Sequence, residues 1–229
     1  MLNKTLLPQT VARDIQTMIQ NGTLKPGEKI PSQREFSQRF GISRASLREA
    51  LLTLETLGLL KTEAGRGTFV AGSPKGVGGH MAPWRYSDSY SVFDVFQTRL
   101  LLEGEIARLA AGRLAQTQLE RMEMATRRME ECWARGDLLA NVEADLDFHG
   151  TIVSACSNAM LQALYQTVRD QLTETQRQPI PMTDPERMRE SIAEHRRIIA
   201  ALRDNDGQAA RRAMETHIRN TARCAGLEP

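Results

Sequence analysis

A chain of 229 residues, 41% hydrophobic and 25% charged, is ordinary globular material whose length falls between one large domain and two small ones. No apolar run approaches the roughly 20 residues of a membrane helix, the start MLNKTLLPQT lacks a signal-peptide core, and three scattered cysteines (Cys132, Cys156, Cys224) suggest neither a disulfide framework nor a thiolate zinc site, so a cytoplasmic protein without membrane contact is expected. The net charge of +2 hides two unlike parts: residues 1–75 carry 11 Lys/Arg against 6 Asp/Glu, net +5, and the remaining 154 carry 19 against 22, net −3, as expected if the first third faces a polyanion such as DNA.

In chain order, Val11, Ile15, Met18 and Ile19 make the apolar stripe of a first helix, closed by Asn21-Gly22 and the turn Pro26-Gly27. Ser32 opens a second helix, with Glu35 three residues on completing a capping box, and Gly41 stops it. Ser43 caps a third, running through Leu47, Ala50, Leu51 and Leu54 to Gly58. The stretch KTEAGRGTFVAG then places the glycine-rich turn Ala64-Gly65-Arg66-Gly67 between two short β-prone segments, the pattern of a hairpin wing. Residues 72–90 are rich in glycine and proline without a period and read as a linker or strap, in which Trp84, Arg85 and Tyr86 are a weak suggestion of an interface and His80 an ordinary linker residue. From Val92 to about Arg223 the pattern is helical throughout, broken at Gly112, Gly136-Asp137, Asn158, Pro179–Pro181 and Asp206-Gly207. The expected fold is therefore mainly α, an N-terminal winged helix-turn-helix over 1–75, a linker over 76–90 and an all-α bundle of about six helices over 91–229.

In the third helix the apolar residues fall on one side, while Arg44 and Arg48, four apart, fall together on the other. Two guanidiniums at the N-terminal end of a helix that follows a tight turn occupy the part of a recognition helix that enters the major groove. The planar fork of arginine can grip guanine O6 and N7 in two bonds, and hydroxyls such as Ser43 and Ser46 can hold phosphates or base edges. An isolated RxxxR is more often a solvated basic face. The turn, the wing and a further arginine, Arg34, on the second helix favour DNA here.

The run LKPGEKIPSQREFSQRFGISRASLREALLTLETLGLLKTEAGRGTFV closely resembles the DNA-binding domain of the GntR family of bacterial regulators. The resemblance implies that Arg34, Arg44 and Arg48 contact double-stranded DNA with Ser43 and Ser46 assisting, and that Gly65, Arg66 and Gly67 form a wing tip in the minor groove. The helical remainder is similar to the FCD type of effector domain. A homodimer on a palindromic operator is implied, since one recognition helix reads one half-site. Repression relieved by an effector is the regulatory sense that the family suggests.

Asp145 and His149, four apart on a helix, stack on one face about 6 Å from each other, near enough to share an ion. His195 and His217 stand at similar depths on the last two helices, either side of the turn around Gly207, so antiparallel packing can bring all four together. Each histidine alone is more often a core residue than a ligand, but one carboxylate and three imidazoles suit zinc first, with nickel, manganese and iron as alternatives. The segments ADLDFH and AEHRRIIAALRDNDGQAARRAMETH resemble those of the metal-containing FCD subgroup, whose ligand positions match Asp145, His149, His195 and His217. That resemblance further implies a small organic or sugar acid at the metal, its charge met by Arg99 of FDVFQTRLLLEGEIARLAA; a structural ion pair between Arg99 and Glu103 is the competing reading.

An enzyme is not expected. No histidine is followed by aspartate, as HD phosphohydrolases require, and none has glutamate three residues before it, as carboxylate di-iron bundles require. Two further readings stay open: a regulator whose metal is purely structural, and a helical metal-dependent hydrolase fused to a DNA-binding domain.

Overall fold

The computed structural model describes residues 6–72 and 81–229. Residues 76–80 of the expected linker, His80 among them, lie outside the described residues. The chain divides into two compact units, Met1–Pro83 and Trp84–Pro229.

The first unit contains α1 (Leu6–Gln20), α2 (Gln33–Phe40), α3 (Arg44–Thr56) and an antiparallel hairpin of β1 (Leu60–Glu63) and β2 (Gly67–Val70), in which Leu60 pairs with Val70 and Glu63 with Gly67. Local chemistry sets the helix ends. Ser32 Oγ accepts from the Glu35 backbone N–H while the Glu35 carboxylate accepts from the Ser32 N–H, a full capping box, and Gly41 closes α2 in the left-handed conformation at φ 64°. Val11 and Ile15 of α1, Phe36 of α2 and Leu47 and Leu54 of α3 fill the core between them. Each such side chain contributes roughly 1.5–3 kcal/mol by leaving water. The turn at Pro26-Gly27 does more than reverse the chain: Ile30 N–H donates to Thr68 O at 2.9 Å and Lys29 bridges to Phe69, so this segment lies along the outer edge of β2 and stiffens the wing.

Among its described residues the second unit holds six α-helices: α4 (Val92–Ala110), α5 (Gln116–Ala134), α6 (Leu138–Ala155), α7 (Ala159–Arg177), α8 (Pro185–Arg203) and α9 (Gly207–Cys224), with a 3₁₀ turn at Ile180–Met182. Asp137, Asn158, Asp184 and Asp206 each accept a backbone N–H at a helix start, which is why the chain breaks where these short polar residues stand. Helix α4 packs on α9 and α7, α5 on α6 and α8, and α8 on α9, around a core that includes Phe96, Phe148, Ile152, Ile198 and Ile218. Gly207 lets α9 begin against α4: a Cβ there would stand 2.7 Å from the Arg108 carbonyl oxygen. Just before α4, the Trp84 indole N–H donates to Tyr90 O at 2.7 Å and closes a short turn region. The fold is the mainly helical one expected, and no helix among the described residues is long and apolar enough to cross a membrane.

Candidate nucleic-acid interface and metal centre

In the first unit Arg34, Arg44 and Arg48 are all exposed, whereas Leu47, Ala50, Leu51 and Leu54 on the opposite side of α3 are buried. The amphipathic split follows directly from the residue spacing. Ser43 spends its hydroxyl locally: Oγ accepts the Ser46 N–H at 3.0 Å and lies 2.9 Å from Ser46 Oγ, so the two serines form the cap that holds the arginine-bearing end of α3 in shape. At the wing tip Gly65 adopts φ 72° and Gly67 φ 118°, conformations that residues with a Cβ rarely take. Arg66 is exposed there, pairs with Glu63, and lies over the Phe69 ring at 5.6 Å.

In the second unit the four residues singled out by spacing meet. One ligand atom from each of Asp145, His149, His195 and His217 lies within 4.8 Å of the others, on helices α6, α8 and α9. The three rings are at most 3% exposed. Their orientations are imposed from outside the cluster. His195 Nδ1 donates to Ser191 O at 2.7 Å, and His217 Nδ1 donates to Glu194 Oε2 at 2.8 Å. His149 Nδ1 lies 2.6 Å from Glu103 Oε2, off the line of its N–H, so that contact is close without being an aligned hydrogen bond. With an oxygen facing each Nδ1, the lone pair of a neutral ring resides on Nε2.

Electron-rich atoms therefore converge. His195 Nε2 stands 3.0 Å from Asp145 Oδ1 and His149 Nε2 3.8 Å from the same oxygen, and His149 Nε2 is buried without a hydrogen-bond partner. Two acceptors at 3.0 Å repel unless a cation, proton or metal, lies between them. Burial pushes the Asp145 carboxyl up, but the neighbouring histidines more than reverse this and hold it well below the usual carboxylate range. Burial, reinforced by the neighbouring His195, pushes His217 down to about 4, leaving its ring neutral and able to donate a lone pair at neutral pH. The donor set fits a divalent transition metal.

Two buried carboxylates surround the cluster. Burial raises Glu103, and Arg99 with His149 outweighs it, bringing the group to about 2; Glu194 is likewise raised by burial and returned to about 2 by His217, Arg187 and Asn220. Arg187 grips Glu194 with both terminal nitrogens, at 2.9 and 2.8 Å. Arg99 is fully buried; its Nε donates to Glu103 Oε1 at 2.8 Å and one terminal nitrogen to Thr175 Oγ1 at 3.2 Å. The ion pair with Glu103 is thus present. Yet Arg99 also lines a cavity of about 50 Å³ shared with Asp145, Gln176, Arg187, His217 and Cys224, and its five N–H groups are not all used by these partners. At roughly 10–15 Å³ for each water-sized group, the space suits a small acid.

Sequence reasoning did not find Glu194, Arg187 or Gln176. A signal for Gln176 was present: the stripe Leu161, Tyr165, Val168, Leu172 of α7 arrives at Thr175-Gln176, where two buried polar residues replace the expected apolar ones. Glu194 carries no comparable mark, because its partner His217 is 23 residues away on another helix.

The model of the FCD domain matches residues 94–220, and that of bacterial regulatory proteins, gntR family, matches residues 7–70. The chain belongs to the GntR family, FCD type. This GntR/FCD transcriptional regulator is 32% identical over 210 residues to the HTH-type transcriptional regulator LutR of Bacillus subtilis (strain 168), covering 89% of this chain and 94% of the relative. It is 28% identical over 218 residues to the Uxu operon transcriptional regulator of Escherichia coli (strain K12), covering 93% and 84%. Among solved structures, a transcriptional regulator GntR from Rhodococcus sp. RHA1 superposes with a TM-score of 0.56 at 20% identity, over 97% of this chain and 99% of that one, which shows a common fold.

Proposed function

We propose that this GntR/FCD regulator binds a palindromic operator as a homodimer and responds to a small carboxylate held beside a divalent transition metal in its helical unit. The convergence of three Nε2 lone pairs and Asp145 Oδ1 on one buried point carries the sensor reading. Asp145, His149, His195 and His217 hold the ion, zinc first, with nickel, manganese or iron as alternatives. When bound, it supplies a positive charge that attracts a carboxylate. Arg99 lends a second charge from the cavity wall, and Glu103 keeps that guanidinium in place.

On the DNA side, Arg44 and Arg48 read base edges from the exposed end of α3. Arg34, Ser43 and Ser46 position the helix on the backbone, and Gly65, Arg66 and Gly67 enter the minor groove. Effector and operator affinities are reciprocally coupled, and effector binding weakens repression by favouring dimer arrangements that do not match the operator. A thermal-shift screen of small organic and sugar acids, with and without a chelator, tests the sensor half. Stabilisation by an acid in the metal-loaded protein alone supports it; stabilisation by no acid, with the metal still raising the melting temperature, leaves the ion a structural one.

A further inference from the structure

We infer that Gln176 selects the effector by accepting a hydrogen bond from a hydroxyl beside its carboxylate, so that the chain favours hydroxycarboxylates over oxocarboxylates of the same skeleton. The inference rests on the sensor reading above and adds the feature of the acid that is read.

Gln176 stands at the end of α7 and is 7% exposed. Its Nε2 donates to Asp145 Oδ2 at 2.8 Å. An ionised carboxylate only accepts, so this bond settles which way the amide faces and leaves Oε1 as the uncommitted atom. Oε1 is buried and has no hydrogen-bond partner. A buried acceptor left unmet is costly until a donor reaches it. The residue lines the same cavity as Asp145, His217, Arg99 and Arg187, which is where a small acid would lie.

The chemistry of that acid follows from which of its groups each wall can serve. Carboxylate oxygens are drawn to the guanidinium of Arg99 and to the ion, and they cannot serve Oε1, because acceptor would face acceptor. The ligand must therefore bring a donor of its own. An ammonium group is opposed by the ion and by Arg99 and Arg187, whereas a hydroxyl is neutral and donates one hydrogen bond. An oxo group at the same carbon presents a lone pair instead and leaves the glutamine oxygen unmet. A site built around a substrate hydroxyl discriminates strongly against the analogue that lacks it.

Calorimetric titration of the metal-loaded full-length chain with matched pairs tests this: glycolate against glyoxylate, L-lactate against pyruvate, malate against oxaloacetate and gluconate against 2-oxogluconate, with L-alanine as the ammonium analogue of lactate. For the pair whose skeleton fits, the hydroxy acid is expected to bind about 10- to 100-fold more tightly than its oxo partner, and alanine no better than pyruvate. Gln176→Leu should bring the pair within about threefold, chiefly by weakening the hydroxy acid. Gln176→Asn serves as a milder variant, with metal content and circular dichroism verifying both proteins. Equal affinity of the wild type for both members of a binding pair, or alanine binding as tightly as lactate, would overturn the inference and leave the sensor reading standing. Failure of every acid to bind the metal-loaded wild type would overturn both. The wild-type ratio decides the matter even where a variant does not fold.

Discussion

Glu194 and His195 are adjacent in the chain but serve different rings: Glu194 accepts from His217 Nδ1 at 2.8 Å, while His195 turns its own Nδ1 to the Ser191 carbonyl and its Nε2 to Asp145. One helical segment of α8 thus supplies both a candidate ligand and the carboxylate that orients another ligand on α9. A carboxylate in that position makes an imidazole a better lone-pair donor and fixes its tautomer.

Glu194→Gln should therefore lower metal affinity by about 10- to 100-fold, the usual cost of losing such a carboxylate, while all four candidate ligands remain. Competition against a chromophoric chelator measures it. Wild-type affinity in this variant would remove Glu194 from the metal's surroundings.

Removal of the ion should destabilise the helical unit. A metal present at about a thousand times its dissociation constant stabilises by about 4 kcal/mol, and for a chain of this size that corresponds to a fall in melting temperature of about 10 °C on chelation. His149→Ala and His217→Ala should copurify with little metal by elemental analysis. Full metal content in both would show that the cluster is not the site.

Arg44→Ala and Arg48→Ala should each cost about 1–3 kcal/mol of operator binding and leave the melting temperature unchanged, because both side chains are exposed and carry no part of the core. Fluorescence anisotropy with a labelled operator reads the first effect and calorimetry the second. Affinities equal to wild type would show that α3 does not read bases.

Arg99→Leu should be severely destabilising, by about 3–5 kcal/mol in urea unfolding, since it leaves the buried Glu103 carboxylate without its main counter-charge. A stability close to wild type would show that the pair with Glu103 is incidental.

Gly207→Ala should cost about 1–3 kcal/mol through overpacking, because the added methyl carbon meets the backbone oxygen of Arg108 rather than a side chain that can swing aside. Urea denaturation of the two proteins provides the comparison. A neutral result would mean that α4 and α9 can separate locally at little cost.

Helix ends were legible in the sequence because Ser32, Ser43, Asp137 and Asp206 satisfy backbone N–H groups only three residues away, so the determinant lies inside the window one reads. The apolar face of α3 and the i, i+4 pairing of Asp145 with His149 were legible for the same reason. Gln176, Arg187 and Glu194 were not, because their partners come from other helices and only packing brings them near. The bridge between Lys29 and Phe69 likewise escaped notice, since a single pairing carries no period.

The two oxygens of Asp145 are divided between different neighbours, Oδ1 toward His195 and Oδ2 toward Gln176. A carboxylate tethered in this way would offer an ion Oδ1 alone, so that it and three imidazoles would supply four ligand atoms. An ion able to take a fifth or sixth ligand, as zinc can when its shell expands, would keep room for a guest beside these four. Whether the same four side chains make a closed staple or a receptor would thus turn on how many ligands the bound ion accepts.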